Sequence, residues 1–254
     1  MNAAQQLAPP MLQVTKLTKR YATTLALDTI SFDVAPGEFV AILGRSGAGK
    51  TTLFRCLTRL VKPDSGTIIV DGAALLALRG RHLRAIRREI GLIFQQFNLI
   101  RRMTAIENVL VGRLGHVPTW RVLLRRFRHA DRQLALASLD RVGLLEQAYQ
   151  RADTLSGGQQ QRVAIARVLA QRSRLILADE PVASLDPESA GSVLKTLRMV
   201  ARERNIAVVC SLHQVELAVE FADRIIGLHA GRVVVDVPAV ELGTAEHQRI
   251  YQTG

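Results

Sequence analysis

The fold of this 254-residue chain is decided by one stretch, Gly44-Arg45-Ser46-Gly47-Ala48-Gly49-Lys50-Thr51. It matches the pattern G-x-x-x-x-G-K-[S/T], with the apolar run Phe39–Leu43 before it and a helical pattern to about Leu60 after it. Glycines let such a loop curl until backbone N–H groups face phosphate oxygens, and the helix start adds positive charge. Lys50 is expected to reach the β- and γ-phosphates, and the Thr51 hydroxyl to bind Mg²⁺. The stretch therefore predicts a nucleoside triphosphate site.

A second motif lies downstream, where the apolar run Leu175–Ala178 ends in Asp179 and Glu180. An Asp in this place can hold Mg²⁺, often through water, and the Glu can orient or deprotonate an attacking water. Many strands end in acidic residues, so the motif alone is weak. Together with the phosphate loop, it indicates nucleotide hydrolysis.

The apolar pattern around both motifs is typical of an α/β protein. Strands are predicted at 12–17, 30–34, 39–43, 67–72, 175–178, 206–210, 225–228 and 233–235. From about Thr104 to Tyr149 the pattern changes to successive helices. We predict a loose tail over 1–10 and a single domain over 11–254. A helical insertion at about 98–155 interrupts its parallel core.

Composition places few limits on function. The net charge is +12, from 34 Lys and Arg against 22 Asp and Glu, which is compatible with nucleic acid, an anionic membrane surface or a solvated helix face. No apolar run approaches the roughly 18 residues of a membrane span, and the start lacks the pattern of an export signal. Cys56 and Cys210 have apolar neighbours and no metal-site spacing, so both are expected to be reduced core residues.

The segment Leu155-Ser156-Gly157-Gly158-Gln159 resembles the signature of ABC ATPases. Ser156 can cap a new helix while the two glycines leave its backbone amides bare, which makes a second anion site. The resemblance implies that this site clasps the γ-phosphate of ATP bound to a partner subunit, so that catalysis needs a homodimer. It also implies the fold: a P-loop NTPase (RecA-like) core with an antiparallel β subdomain and an inserted α-helical subdomain.

Other positions are similar to the family pattern in the expected order. Tyr21 lies where these proteins stack an aromatic ring on adenine, although a plain edge-strand tyrosine is the alternative. Gln95 resembles the glutamine that contacts Mg²⁺ and the attacking water, with Gln96 as an alternative register. Asp186 ends a loop that crosses the dimer interface in the family, and His213 resembles the histidine that contacts the γ-phosphate.

The resemblance thus implies three sets of residues. The catalytic set is Glu180, His213 and Gln95, and the metal set is Thr51, Gln95 and Asp179. The set that contacts ATP is Tyr21, Gly44, Arg45, Ser46, Gly47, Ala48, Gly49, Lys50, Thr51, Thr52, Ser156, Gly157, Gly158, Gln159 and Asp186. ATP and Mg²⁺ are the implied cofactors.

Within the family, a transport subunit is favoured over other branches. The interval from Lys50 to Ser156 leaves room for a helical subdomain but not for a long coiled coil, and there is no second nucleotide domain. In importers, a groove beside the glutamine loop receives a short helix of an integral membrane permease. Residues from Gln95 to Arg102 are expected to line it, with Phe97 and Leu99 as apolar contacts. This implies a peripheral protein on the cytoplasmic face of the cell membrane, served indirectly by a solute-binding protein outside.

Several stretches, including Gly112–Trp120, look closest to phosphonate-import ATPases. Phosphonate or a related phosphorus oxyanion is therefore the expected solute, by kinship alone, because the permease and the binding protein select it. Two alternatives remain open: an accessory ATPase of a soluble phosphonate-processing complex, and an importer ATPase for another small solute. A nucleic-acid-dependent ATPase, suggested by the +12 charge, ranks last, and no nucleic-acid partner is expected.

Overall fold

The computed structural model describes residues 9–94, 98–124 and 126–251, without the side chain of Leu123. The strands are β1 (Leu12–Tyr21), β2 (Thr24–Val34), β3 (Phe39–Leu43), β4 (Ser65–Val70), β5 (Ala73–Ala74), β6 (Ile90–Phe94), β7 (Leu175–Asp179), β8 (Ala207–Ser211), β9 (Arg224–His229) and β10 (Arg232–Pro238). The helices are α1 (Lys50–Leu57), α2 (Gly80–Glu89), α3 (Ala105–Val111), α4 (Thr119–Leu123), α5 (His129–Arg141), α6 (Gly157–Gln171), α7 (Pro187–Arg204), α8 (Val215–Phe221) and α9 (Thr244–Tyr251). Short 3₁₀ turns cover Leu114–His116, Ala152–Thr154 and Ala239–Glu241.

Two sheets organise these elements. The larger has the order β10-β9-β3-β8-β7-β6, parallel except for β10, which pairs with β9 in antiparallel fashion. The smaller is antiparallel, with the order β2-β1-β4-β5. Every residue of β3 and β8 is buried, as expected for strands covered by other elements on both faces. The predicted α/β fold, with a parallel core and a separate antiparallel sheet, is confirmed.

The first hairpin is longer than its sequence pattern predicts. Strands β1 and β2 pair along most of their lengths and meet at Tyr21 and Thr24, whereas the pattern placed strands only at 12–17 and 30–34. Their register shifts between Val14 and Arg20. Such irregularities interrupt the alternation of inward and outward side chains, so the pattern underestimates the strands.

Three helices between β6 and β7, namely α3, α5 and α6, form a layer that packs onto the parallel core. Helices α3 and α5 lie against α6 and against each other. Ile106, Val109 and Leu139 belong to the same buried cluster as Phe39 in the central sheet. The helical layer is thus continuous with the main core, and its definition as a subdomain over about 98–155 stays a prediction.

The two cysteines, Cys56 and Cys210, are buried and free, in agreement with the sequence-based expectation. Burial raises the pKa of the Cys56 thiol to about 11. Across the described ranges, no helix combines the length and apolar character that crossing a membrane requires.

Candidate functional site

The phosphate loop connects β3 to α1, and its glycines meet specific steric demands. Gly49 has φ +104°, and a Cβ there would lie 2.5 Å from the carbonyl oxygen of Ala26. A Cβ on Gly44 would lie 2.5 Å from the carbonyl oxygen of Leu228. The loop backbone therefore lies directly on β2 and β9, where a side chain at either position would push it away.

Lys50 begins α1 and is buried with its ammonium group inside the loop. Its Nζ donates hydrogen bonds to the carbonyl oxygens of Gly44, at 2.6 Å, and Arg45, at 3.2 Å. Burial lowers the pKa of Lys50, while the charges of Glu180 and Asp179 act in the opposite direction. A cation at the start of a helix, enclosed by backbone, can bind a phosphate group.

The two acidic residues of the second motif are held by a serine that the sequence analysis did not select. Asp179 ends β7 and is in register with Ser211, the last residue of the neighbouring strand β8. The Ser211 hydroxyl donates to Asp179 Oδ1 at 2.8 Å and accepts from the Glu180 backbone N–H, also at 2.8 Å. Burial raises the pKa of Asp179, and the Ser211 hydrogen bond opposes this shift. The available signal was a serine at the carboxyl end of an apolar strand.

Glu180 also contacts His213, which joins two residues of the predicted catalytic set. His213 Nε2 lies 2.5 Å from Glu180 Oε1. Both side chains line a cavity of about 120 Å³ together with Ser211. The Tyr251 hydroxyl donates to the His213 carbonyl at 3.5 Å, so the end of α9 adjoins this loop. A carboxylate facing a cavity beside an imidazole can accept a proton from water.

The two described members of the predicted metal set meet at a second cavity. Thr51 and Asp179 line this cavity of about 280 Å³, together with Phe94. A hydroxyl and a carboxylate oxygen are the hard ligands that Mg²⁺ prefers, and Mg²⁺ commonly keeps waters and substrate phosphates as its other ligands. These two residues therefore fit a magnesium ion bound together with a nucleotide. Gln95, Gln96 and Phe97 lie outside the described residues.

The signature segment starts α6 through a capping box. Ser156 Oγ accepts from the Gln159 backbone N–H at 3.2 Å, and Gln159 Oε1 accepts from the Ser156 N–H at 2.9 Å. The predicted cap at Ser156 is therefore present. Gly158 packs against α7, where an added Cβ would lie 2.9 Å from Ser189 Oγ. Ser156 and Gly157 remain exposed at the surface.

The contacts of Asp186 and Tyr21 do not by themselves indicate a nucleotide site. Asp186 caps α7, and the hydrogen bond that it accepts from the Ser189 backbone N–H lowers the pKa of its carboxyl group. Tyr21 is exposed, with Lys19 Nζ 5.3 Å from its ring centroid. Arg45 donates to the Tyr251 carbonyl at 3.4 Å. The exposed Ser46 and the half-buried Thr52 flank the loop. The nucleotide contacts of these residues stay predictions.

Comparison with known proteins decides the family. A family profile described as ABC transporter matches residues 27–183. The chain belongs to the ABC transporter family. It is similar to the hypophosphite import ATP-binding protein HtxD of Stutzerimonas stutzeri, with 52% identity over 95% of this chain and 71% of that protein. It is equally similar to the phosphonates import ATP-binding protein PhnC of Frankia casuarinae, with 52% identity over 94% of each chain.

A solved structure is similar along most of the chain. It is a dimeric, post-hydrolysis structure of the ATP-binding cassette MJ0796 bound to ADP and Pi, with a TM-score of 0.76 and 35% identity. The similarity covers 91% of this chain and 100% of that one. The ABC protein described above is accordingly an ATP-binding and ATP-hydrolysing subunit.

A large apolar groove lies in the helical layer of this ABC ATPase. Its volume is about 680 Å³. Its apolar lining includes Ile100, Met103, Leu110, Leu114, Leu136 and Tyr149. The exposed side chains of Ile100, Leu114 and Tyr149 form part of this surface. Leu99 is half-buried and packs against the main core, and its expected contact with a partner stays a prediction.

Proposed function

We propose that this ABC ATPase works as a homodimer on the cytoplasmic face of a membrane permease and powers import of phosphonate or a related phosphorus oxyanion. The observation that carries the transport assignment is the apolar groove in the helical layer, which offers a docking surface for a permease segment. The solute rests on the two relatives, whose names specify hypophosphite and phosphonates. A solute-binding protein outside the membrane would deliver the solute to the permease.

The geometry supports a division of labour at the ends of β3 and β7. In the proposed reaction, Lys50 leaves the loop carbonyls and binds the β- and γ-phosphates of ATP. Thr51, Gln95 and Asp179 would hold Mg²⁺. When bound, the ion would neutralise charge on the phosphates as the γ-phosphoryl group passes to water. Gln95 has this role from the family resemblance alone, whereas Thr51 and Asp179 also line one cavity.

Water activation falls to Glu180 and His213. Glu180 accepts the proton of the attacking water, and His213 positions Glu180 and the γ-phosphate. The 2.5 Å approach of His213 Nε2 to Glu180 Oε1 supports this pairing. The exposed start of α6 offers the Gly157 backbone N–H and the Ser156 hydroxyl to the γ-phosphate of a second copy, while the Ser156 and Gln159 N–H groups serve the capping box.

Two further contacts complete the proposed nucleotide site. Tyr21 stacks on adenine, and its exposed ring at the end of β1 is free to do so. Asp186 faces the second copy from the start of α7. The remaining loop residues, Arg45, Ser46, Gly47, Ala48 and Thr52, contribute backbone and side-chain contacts to the phosphates.

A short stretch of chain connects hydrolysis to the groove. Phe94 lines the cavity with Thr51 and Asp179, and Ile100 lines the apolar groove. The five residues between them include Gln95 in the proposed metal set. We propose that this stretch transmits a shift of the permease segment in the groove to the Mg²⁺ site.

Recovery of natural partners tests the proposed function. Tagged Glu180→Gln protein is expressed in the native host and purified from detergent-solubilised cells with Mg-ATP present. We expect an integral membrane permease to co-purify, and the associated binding protein to bind a phosphonate or another phosphorus oxyanion such as phosphite, hypophosphite or phosphate. Recovery of soluble phosphonate-processing enzymes without a membrane protein would make the transport assignment wrong. Preference for an unrelated solute would overturn only the substrate.

A further inference from the structure

Ser211 occupies an unusual position among the polar residues of the molecule. It ends β8, is fully buried, and bridges Asp179, the last residue of β7, and Glu180, which follows it. A hydroxyl group has one proton and two acceptor lone pairs. Because the Glu180 N–H can only donate to Ser211, the single hydroxyl proton is left for Asp179 Oδ1. The two hydrogen bonds therefore fix the direction of the hydroxyl as well as its place.

The Glu180 end of this bridge holds a strained backbone. Glu180 has φ +51°, in the left-handed region that residues with a side chain seldom occupy. The Ser211 hydroxyl accepts the N–H of this residue and so stabilises the turn at the end of β7. This turn places the Glu180 carboxylate beside His213. Without the hydroxyl, this conformation would lose a buried hydrogen bond.

At the other end of this bridge, the Ser211 hydroxyl orients the Asp179 carboxylate. Ser211 binds one oxygen of Asp179, and Asp179 lines the cavity that also contains Thr51. This hydrogen bond restricts rotation of the carboxylate and thereby limits the positions that its second oxygen can take. Groups that form hydrogen bonds to a metal-binding carboxylate control its orientation and the affinity of the site for the metal ion.

We propose that Ser211 is a positioning residue for ATP hydrolysis, with a hydroxyl that holds the Asp179 carboxylate and the Glu180 turn in a fixed relation. This inference rests on the proposed roles of Asp179 in Mg²⁺ binding and of Glu180 in water activation. Ser211 itself touches neither ATP nor water in this scheme. It couples the two acidic residues, so one substitution should disturb both metal binding and turnover.

A second buried serine provides a matched control. Ser173 lies before β7, is also buried, and donates one hydrogen bond to the Val168 carbonyl. Both Ser211→Ala and Ser173→Ala remove one buried hydroxyl and retain Cβ. Only the first should change the chemistry, while thermal unfolding should report losses of stability of the same order in both. Ser211→Thr keeps the hydroxyl and serves as the rescue variant.

The experiment measures kcat, KM for ATP and the Mg²⁺ concentration for half-maximal activity in the 254-residue protein. It also measures the Kd of a fluorescent ATP analogue, with Mg²⁺ and with EDTA. For Ser211→Ala we expect kcat to fall about tenfold to a hundredfold and half-saturation by Mg²⁺ to rise about tenfold. Binding with EDTA should stay within about twofold of the natural protein, since Ser211 acts through the metal ligand. Ser211→Thr should recover most of the loss.

Asp179→Asn and Glu180→Gln separate failure of this inference from failure of the proposed site. If both are inactive while Ser211→Ala keeps the natural kcat and Mg²⁺ dependence, the positioning role is wrong and the site assignment stands. If Asp179→Asn keeps its Mg²⁺ dependence and Glu180→Gln keeps its turnover, the roles on which the inference rests are wrong. Equal effects of Ser211→Ala and Ser173→Ala on Mg²⁺ dependence would also overturn the proposal.

Discussion

Buried polar side chains have different partners in two regions of the molecule: the carboxyl ends of β3, β7 and β8, and the helical layer. At the strand ends, Ser211 bonds to Asp179, and Lys50 is enclosed by its own loop near both acidic residues. In the helical layer, Asn108 bonds to loop backbone, including Ile100 N at 2.7 Å. The first arrangement places the Asp179 and Glu180 carboxylates at cavities, whereas the second fixes loops beside an apolar surface.

The difference shows how one fold separates chemistry from partner binding. A buried charge is costly unless it is paired, as Asp131 is with Arg113 in the helical layer, or bound by a ligand, as we propose for Lys50 at the strand ends. An exposed apolar surface carries the opposite cost, which a partner protein removes. Substitutions at the strand ends should therefore affect hydrolysis, and substitutions in the groove should affect partner recovery.

Lys50→Ala should produce the largest effect. Loss of the cation removes the proposed contact with the β- and γ-phosphates, and we expect ATPase activity to fall at least about a thousandfold. Lys62→Ala, which removes an exposed lysine, serves as the control and should keep full activity. The check is steady-state phosphate release at saturating Mg-ATP, with thermal unfolding of both variants. Near-normal activity of Lys50→Ala would refute the phosphate-loop assignment.

Glu180→Gln should abolish turnover while preserving ATP binding. The amide keeps the shape of the side chain but cannot accept a proton, so hydrolysis should fall about a hundredfold or more. With Mg-ATP, the variant should elute as a dimer in size-exclusion chromatography with light scattering. The control is Glu220→Gln, an exposed residue of α8. A monomeric Glu180→Gln protein at saturating Mg-ATP would contradict the proposed homodimer, in which each copy binds the γ-phosphate held by the other.

The features predicted best from sequence are those that local chemistry determines. Phe39–Leu43 is continuously apolar because both faces of β3 are buried, and Ser156 forms the cap that its residue type favours. The residues around Gly44 and Gly49 are identifiable because only glycine fits so close to neighbouring backbone. Burial, capping and steric limits of this kind determine the residue types within a short stretch, so they can be recognised in the sequence.

The missed features depend on neighbours that are distant in sequence. Ser211 is important only because β8 lies beside β7, and no local pattern shows that adjacency. Helix α9 likewise has no motif. Its Ile250 is buried over Gly227, where an added Cβ would lie 2.4 Å from the isoleucine side chain. Strand order and interlocking side chains of this kind are set by the whole fold.

Substitutions in the groove test the other half of the comparison, namely that this region affects partner binding and not hydrolysis. Ile100→Glu and Leu114→Glu place charges on exposed apolar positions, so folding and basal ATPase activity should stay within about twofold of the natural protein. Recovery of the permease should fall at least about tenfold, because a carboxylate in an apolar interface is desolvated without a partner. Val240→Glu, at an exposed apolar position outside the groove, is the control. Unchanged recovery with both groove variants would show that the permease binds elsewhere.

The smallest effects should come from two helix starts that share one capping design. Thr104 and Glu107 form a capping box on α3, and Ser156 and Gln159 form one on α6. Thr104→Ala and Ser156→Ala should each lower the free energy of unfolding by about 1 kcal/mol. Urea denaturation measures this loss, which should be similar for the two variants.

ATPase activity should distinguish these two variants even though their stabilities match. Ser156 lies at an exposed helix start followed by Gly157, which we propose binds the γ-phosphate of the second copy, whereas Thr104 adjoins the apolar groove. Ser156→Ala should therefore lower kcat about tenfold and Thr104→Ala less than about twofold. If both variants lost activity in proportion to their loss of stability, the start of α6 would be an ordinary capped helix. It would then not belong to the hydrolysis site.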